Sequence, residues 1–354
     1  MTPDLGMIEA RFGRVWSWAQ RTEVMTTLAL AGYGFYHYGP KGDPHLRRAW
    51  RTPHSAIETE QLAAFSATCR ERKVRFGFAL TPIDASHPFD AATRATLAER
   101  IAALDAIGLE DLAILFDDLR GDLPELAKSQ ADIVDFCAQR SSATRFYFCP
   151  TYYSDDAVLD RVFGSRPPNY LATLGRLLDP AVRVYWTGEE VCSREIGPAH
   201  LRDVCERLGR PVCLWDNYPV NDGARMSRFL FLRAFTGRPS TIAAHVTGHA
   251  INPAMQPLLT CLPALTLTAN YRDGAHYCYG AAFVQAGRAL FGEELTAMLQ
   301  DDLIALNDVA LERLGERRPI LRARYAAIDH PAAREVVGWL DGDDLVTDDE
   351  VQTQ

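Results

Sequence analysis

No stretch of this 354-residue chain approaches the roughly 18 uninterrupted apolar residues needed to span a bilayer as a helix, although 47% of it is hydrophobic. A soluble protein with no membrane partner is therefore expected. A basic stripe is also missing, and the formal net charge is −9. That balance argues against nucleic acid, whose phosphates demand a cationic face. The eight cysteines are even in number, yet they are scattered and never form a CxxC pair, so free buried thiols are expected in place of a disulfide framework. The opening "MTPDLGMIEARFG" has neither a basic n-region nor an apolar h-region, so no export signal is read there and a cytoplasmic location is expected.

What the chain does contain is alternation. Short apolar segments recur at 6–12, 32–39, 74–82, 111–117, 144–150, 182–188, 211–217 and 241–248, separated by longer stretches of helical period. One such stretch, 92–108, puts Leu97, Ile101, Leu104 and Ile107 on a single face. Repeated β/α units imply a parallel sheet. Eight of them predict an α/β fold, a (β/α)8 TIM barrel over residues 1–282, with a doubly wound open sheet as the alternative. Residues 283–340 read as a helical appendage, and 341–354, "DGDDLVTDDEVQTQ", as an acidic, disordered tail.

A barrel places its reactive groups at the C-terminal strand ends. Polar and aromatic residues do gather there. "LAILFDDLRGD" ends an apolar run on Asp117 and Asp118, and Tyr153, Trp186, Trp215, Asp216, Asn217, Asp222 and Asn252 follow later segments. Aromatic faces beside carboxylates and amides suit a sugar, whose ring has an apolar side and whose rim is hydroxyls. Each has a plainer reading: a DD pair after a strand is commonly a helix cap or a solvated turn, and a lone Trp is commonly core. His245 and His249 have a spacing that could hold a metal on a helix, but they fall on a predicted strand and its exit, so no metal site is expected. "AGYGFYHYG" lacks the spacing of a dinucleotide loop. No cofactor is implied.

Seven motifs in order, "GMIEARFGRVWSW", "YHYGPKGDPHLRRAWR", "ILFDDL", "FCPTYY", "YWTGEEVCSREI", "LWDNYPVND" and "GHAINP", together resemble glycoside hydrolase family 84, the β-N-acetylglucosaminidases that include protein O-GlcNAcases. The resemblance spans about residues 6–255. It implies a retaining, substrate-assisted reaction in which the substrate's own 2-acetamido oxygen attacks the anomeric carbon to give an oxazoline, an exception to the usual pair of enzyme carboxylates. It further implies that Asp117 orients the acetamido N–H and that Asp118 is the general acid and base. By the same resemblance Tyr153 hydrogen-bonds the acetamido group, Cys149 lines the pocket for its methyl, Trp215 forms an apolar wall and Asn217 supports the acetamido side. Asp222 matches the acid on the 4- and 6-hydroxyls, Asn252 a second hydroxyl-binding amide, and Lys41 a Lys that reaches the 3-hydroxyl side. Asp43 is left without a role. The implied partner is an N-acetylglucosamine-bearing glycan or glycoprotein; the oligomeric state is not read.

The chain departs from the family pattern in its first motif, where Ala10-Arg11-Phe12-Gly13 follows Glu9 in place of Gly-Phe-Tyr-Gly. Ala10 can still offer its carbonyl to the sugar, while its methyl and the long cationic Arg11 are expected to alter the non-reducing end of the site. Tyr152 replaces an acidic residue and Val15 a Pro. Two other readings stay open: a hexosaminidase acting on other 2-acetamido glycans, and a catalytically silent carbohydrate-binding protein.

Overall fold

The structure, a computed structural model, describes residues 2–85 and 89–347. Eight parallel strands close into a barrel in sequence order: β1 Asp4–Glu9, β2 Phe35–Tyr38, β3 Arg75–Leu80, β4 Asp111–Leu115, β5 Arg145–Cys149, β6 Arg183–Trp186, β7 Val212–Asp216 and β8 Val246–Ile251. β8 pairs back onto β1, with Gly6 opposite Ala250, and so removes both sheet edges. The expected TIM barrel is the observed one.

The helices around it are α1 Trp18–Leu30, α2 Ala56–Glu71, α3 Ala91–Ile107, α4 Leu126–Ala138, α5 Ala157–Phe163, α6 Tyr170–Leu177, α7 Pro198–Leu208 and α8 Pro257–Asp273. Their starts are written locally. Ser17 and Ser55 each close a capping box with Gln20 and Glu58, and Asp90 caps α3 through the Thr93 amide. The α3 stripe Leu97, Ile101, Leu104 and Ile107 is buried as its spacing predicts.

Polar groups also fill the barrel's axis. At its N-terminal end one Asp4 oxygen accepts from Arg75, Arg145 and Arg183. Higher up, His37 lies 3.1 Å from Asp111 and 2.6 Å from the Tyr185 hydroxyl, all fully enclosed. Gly6 is required where the wall comes closest, because a Cβ there would sit 2.3 Å from the Phe35 ring.

Most strands lie within their predicted segments, but two are displaced from theirs. The first ends at Glu9, not 12, because the chain turns there and the Ala10 amide bonds the Ile8 carbonyl. The apolar segment at 241–248 splits: Ser240–His245 is a 3₁₀ turn launched by Pro239, with the Ile242 amide on the Pro239 carbonyl, and the strand begins only at Val246. His249 is spent on Tyr271 and Asp216 inside the fold.

The C-terminal layer comprises α9 Tyr279–Asp301, broken at Gly292 by φ +79°, then α10 Leu303–Asn307, α11 Arg317–Ala326 and α12 Pro331–Asp341. A boundary at 283 falls inside α9, and the second hydrophobic core draws equally on Leu230, Leu232, Leu259 and Leu262. The tail expected to be disordered from 341 is instead anchored as far as it is described. Asp344 and Val346 are buried, and the Val346 amide donates to Ser227 Oγ at 3.1 Å. Residues 348–354 lie outside the described residues. The thiols are free among the described residues, but Cys192 and Cys278 are exposed and Cys205 is half-buried, against the expectation that all are buried. Among the described residues no helix is long and apolar enough to cross a membrane.

Candidate active site

A cavity of about 180 Å³ opens at the C-terminal face of the barrel. Its walls include the ten residues to which the family resemblance gives roles: Ala10, Lys41, Asp117, Asp118, Cys149, Tyr153, Trp215, Asn217, Asp222 and Asn252. These come from six strand ends scattered over some 240 positions, and only barrel closure assembles them. Trp186 and Asp216, also expected at the strand ends, are buried outside it, Trp186 Nε1 donating to His200 and Asp216 engaged by Arg238 and His249.

The β4 exit carries the carboxyl pair. Asp117 is buried, and one of its oxygens is paired with Lys41 Nζ while the other, Oδ1, is buried with no partner among the described residues. An unpaired buried carboxylate oxygen costs free energy unless a ligand donates to it. Asp118 adopts φ +60°, the left-handed region that non-glycine residues rarely occupy. Burial first and the adjacent Asp117 second push the Asp118 carboxyl above the usual carboxylate range, with Lys41 and Arg47 opposing. A carboxyl so placed retains its proton to higher pH than a surface acid.

Tyr153, at the β5 exit, sets its hydroxyl 3.3 Å from Asp118 Oδ1, and burial followed by Asp118 holds its phenol protonated. Cys149 is enclosed next to it, its thiol also kept neutral by burial. Tyr152, the residue that departs from the family pattern, points away from the cavity. Its hydroxyl donates to the Gly164 carbonyl at 2.6 Å, and its ring packs so tightly on the β4 turn that a Cβ at Gly121 would meet the hydroxyl at 2.3 Å.

Across the cavity the amides satisfy one another. Asn217 Oδ1 accepts from Trp215 Nε1 at 2.9 Å and from Asn252 Nδ2 at 3.0 Å, while Asn217 Nδ2 donates to the Val191 carbonyl at 2.8 Å. Asn217 therefore lines the space with its side chain fully engaged. Asp222 receives the Phe12 amide at 2.9 Å, and burial raises its pKa against the pull of that amide and of Arg11.

Arg11 does not reach the cavity, contrary to the sequence expectation. Its guanidinium is buried behind the loop, donating to the carbonyls of Arg14 at 2.7 Å and Phe12 at 3.3 Å and lying 5.0 Å from the Trp16 ring. Burial lowers its pKa to about 10. Phe12 lines the cavity in its place. Asp43 is structural too, accepting from Tyr38, His54 and the His45 amide. Thr187, Val191, Cys192 and Val220 complete the walls. Sequence reasoning missed these four and Phe12, although all lie inside quoted motifs, because none carries the charge or amide by which most of the other lining residues were picked out.

A cavity at a barrel's C-terminal face, with an unpaired carboxylate oxygen, a second carboxyl of raised pKa and a phenol side by side, has the layout of the carbohydrate-hydrolysing class of barrel proteins. Comparison with known proteins narrows that class. The family model described as beta-N-acetylglucosaminidase matches residues 5–303. The protein O-GlcNAcases of Mus musculus and Rattus norvegicus are each 31% identical over 260 residues, covering 70% of this chain and 28% of theirs. A structure of a Thermobaculum terrenum O-GlcNAc hydrolase variant superposes with a TM-score of 0.80 at 26% identity, covering 95% of this chain and 80% of that one. The chain belongs to this β-N-acetylglucosaminidase family, glycoside hydrolase family 84. It spans little more than a quarter of the length of the two rodent relatives.

Proposed function

We propose that the protein is a retaining β-N-acetylglucosaminidase that removes O-linked N-acetylglucosamine through an oxazoline intermediate. The observation that carries this reading is the asymmetry of the carboxyl pair: Asp117 is fixed by Lys41 with Oδ1 unpartnered, and Asp118 has a raised pKa. Asp117 Oδ1 would accept the acetamido N–H, turning the amide oxygen toward C1 and stabilising the positive charge that grows on the amide. As that oxygen bonds to C1 and the glycosidic bond breaks, Asp118 would pass its proton to the leaving oxygen. Water then attacks C1, giving its proton to Asp118, and the ring-opened amide is restored with retained configuration. No side chain becomes a nucleophile.

In this reading Tyr153 donates to the acetamido oxygen or to the oxazoline, and Cys149 with Trp215 encloses the methyl. Asp222 and Asn252 take hydroxyls at the non-reducing side, with the Ala10 carbonyl beside them. Asn217 acts as a positioning residue, because its oxygen already accepts two short hydrogen bonds and its nitrogen holds the Val191 carbonyl, whereas the Asn252 oxygen has only the long 3.4 Å contact from the Ala10 amide. Lys41 pairs with one Asp117 oxygen and fixes the carboxylate in place. The names of the rodent and bacterial relatives support a protein-linked sugar as substrate.

Inhibition tests the mechanism directly. A thiazoline mimic of the bicyclic intermediate should compete with substrate and bind orders of magnitude more tightly than N-acetylglucosamine, since intermediate-like ligands gain the interactions reserved for chemistry. Equal affinities for the two would exclude the substrate-assisted route.

A further inference from the structure

Cys192 and Asn217, which wall the sugar cavity, also belong to a second concavity of about 770 Å³ that runs outward along the same face. Its floor is aromatic and fixed. The Tyr218 hydroxyl donates to the Arg233 carbonyl at 2.7 Å, fastening the ring across the segment 229–235. Leu230 and Leu232 of that segment turn into the C-terminal core. Phe229 and Phe231 stay half-buried in the groove, stacked 6.0 Å apart with 17° between their planes, and Tyr218 approaches Phe231 and Phe235 at 6.1 and 5.1 Å. Asn307 Oδ1 takes the amides of Leu232 and Arg233, so α10 holds the segment from behind.

The rim is cationic in a chain of net charge −9. Arg194 and Arg225 line the groove, and both are exposed. Among the described residues neither guanidinium has a carboxylate within ion-pair distance, whereas Arg233 is already paired with Asp308. Glu190 is the other acid on the rim.

We propose that this groove binds the polypeptide carrying the sugar and favours acidic residues flanking the glycosylated Ser or Thr. The proposal rests on the protein-linked substrate assigned above. Aromatic faces would also suit a second sugar ring, but two exposed rim guanidiniums with no carboxylate in ion-pair reach among the described residues favour an occupant that carries negative charge, which a chain of acidic residues supplies and a neutral sugar does not. Those surfaces suit apolar side chains and carboxylates on an extended strand, and about six such residues cover roughly 20 Å. The strand would leave the sugar cavity past Cys192 and run over Phe231 and Phe229, with Arg194 and Arg225 meeting its carboxylates.

The test measures kcat/KM of the full chain on 4-nitrophenyl N-acetyl-β-glucosaminide, on an O-GlcNAc peptide with Asp and Glu flanks, on a matched peptide with Ser and Ala flanks, and on chitobiose. Wild type should prefer the acidic peptide by about fivefold, the sum expected of two partly exposed ion pairs. The Arg194→Ala/Arg225→Ala variant should lose that preference while keeping aryl-glycoside turnover, which also reports that it folds. Arg225→Glu should favour the neutral peptide. If wild type cleaves both peptides equally, or if the preference survives in the double variant, the groove assignment is wrong while the enzymatic reading stands. If the aryl glycoside and chitobiose are cleaved and neither peptide is, the protein-linked substrate is rejected and the groove proposal falls with it.

Discussion

The two sides of the sugar cavity are built on opposite plans. At the β4 and β5 exits the polar atoms are left incomplete: Asp117 Oδ1 has no partner, Asp118 sits on a left-handed backbone, and the Tyr153 hydroxyl makes only one long contact. At the β7 and β8 exits almost everything is paired, Asn217 three times over, and the loops are tied to each other and to the C-terminal segment. Incompletion marks where a substrate must supply the missing bonds, and completion marks where a shape must be held.

The ties on the second side can be followed atom by atom. Asp344 accepts from Arg14 Nε at 2.6 Å and from Gln256 Nε2 at 2.7 Å. Gln256 accepts from Asn221, which in turn receives the Met255 amide, and the Met255 carbonyl takes Arg14 and Trp16. Gly13 permits this closure, since with φ +80° a Cβ there would strike Met255 Sδ at 2.7 Å and Val346 at 2.9 Å. The chain's last described residues thus brace the loop that presents Phe12 and, through it, Asp222.

The contrast is most exposed to disproof at Asp118. Asp118→Asn should reduce kcat/KM on substrates with poor leaving groups by about 10²–10⁴-fold and on activated phenols far less, because only the former need a proton. Equal losses would remove the acid assignment. Its raised pKa also gives a sign: the protonated form is lost as pH rises, so wild-type turnover of poor leaving groups should fall on the alkaline side, and the fall should vanish in the variant. Next in size comes Asp117→Asn, expected to cost roughly 10²–10³-fold for every leaving group alike, as for one preorganised electrostatic partner. A leaving-group-dependent loss there would erase the distinction between the two acids.

Smaller effects are expected from the paired side. Asp344→Asn should raise KM a few-fold with kcat nearly unchanged, since it loosens the brace without touching the reacting atoms. A matching fall in kcat would show that the brace reaches the chemistry. Replacing Ala10 and Arg11 by Gly and Phe should shift selectivity among gluco, galacto and glucuronyl-capped substrates only through the Phe12 loop, by severalfold at most, with the leaving-group dependence intact. The slightest effect concerns stability alone. Glu335 of α12 accepts the amides of Leu258 and Leu259 at 3.0 Å each, and burial raises its pKa to about 7. Because the folded state then holds this proton more tightly than the unfolded state, its contribution is complete below about pH 4.5 and is lost as pH rises through 7. In Glu335→Gln the slope of Tm between pH 5 and 8 should flatten; an unchanged slope would assign it to other groups.

The barrel and the ten cavity residues were legible because their signals are local: apolar segments of strand length, helical stripes such as that of α3, and polar motifs at strand exits in a fixed order. A strand exit in a closed barrel has one place to go, so order along the chain becomes position around the rim. The bounds of β1 and β8 were less legible. Ala10 turns on a hydrogen bond to Ile8, and Ile242 is apolar whether it lies in a strand or in a buried turn.

The amino-acid sequence by itself determined the repeat of β/α units, the presence of two adjacent acids where the fourth strand surfaces, and the residue types that meet around them. Tertiary structure alone decided which of those groups remain unpaired. Lys41, 76 positions away from Asp117, takes one of its oxygens and leaves the other free. Arg11 adjoins the site in sequence yet is drawn behind it by the carbonyls of Phe12 and Arg14, and Asp344, in a stretch composed like a disordered tail, is buried by Arg14 and Gln256. Such hydrogen bonds, from one to some 330 positions apart in the chain, depend on distance and direction after closure, and neither quantity is encoded in composition or local period.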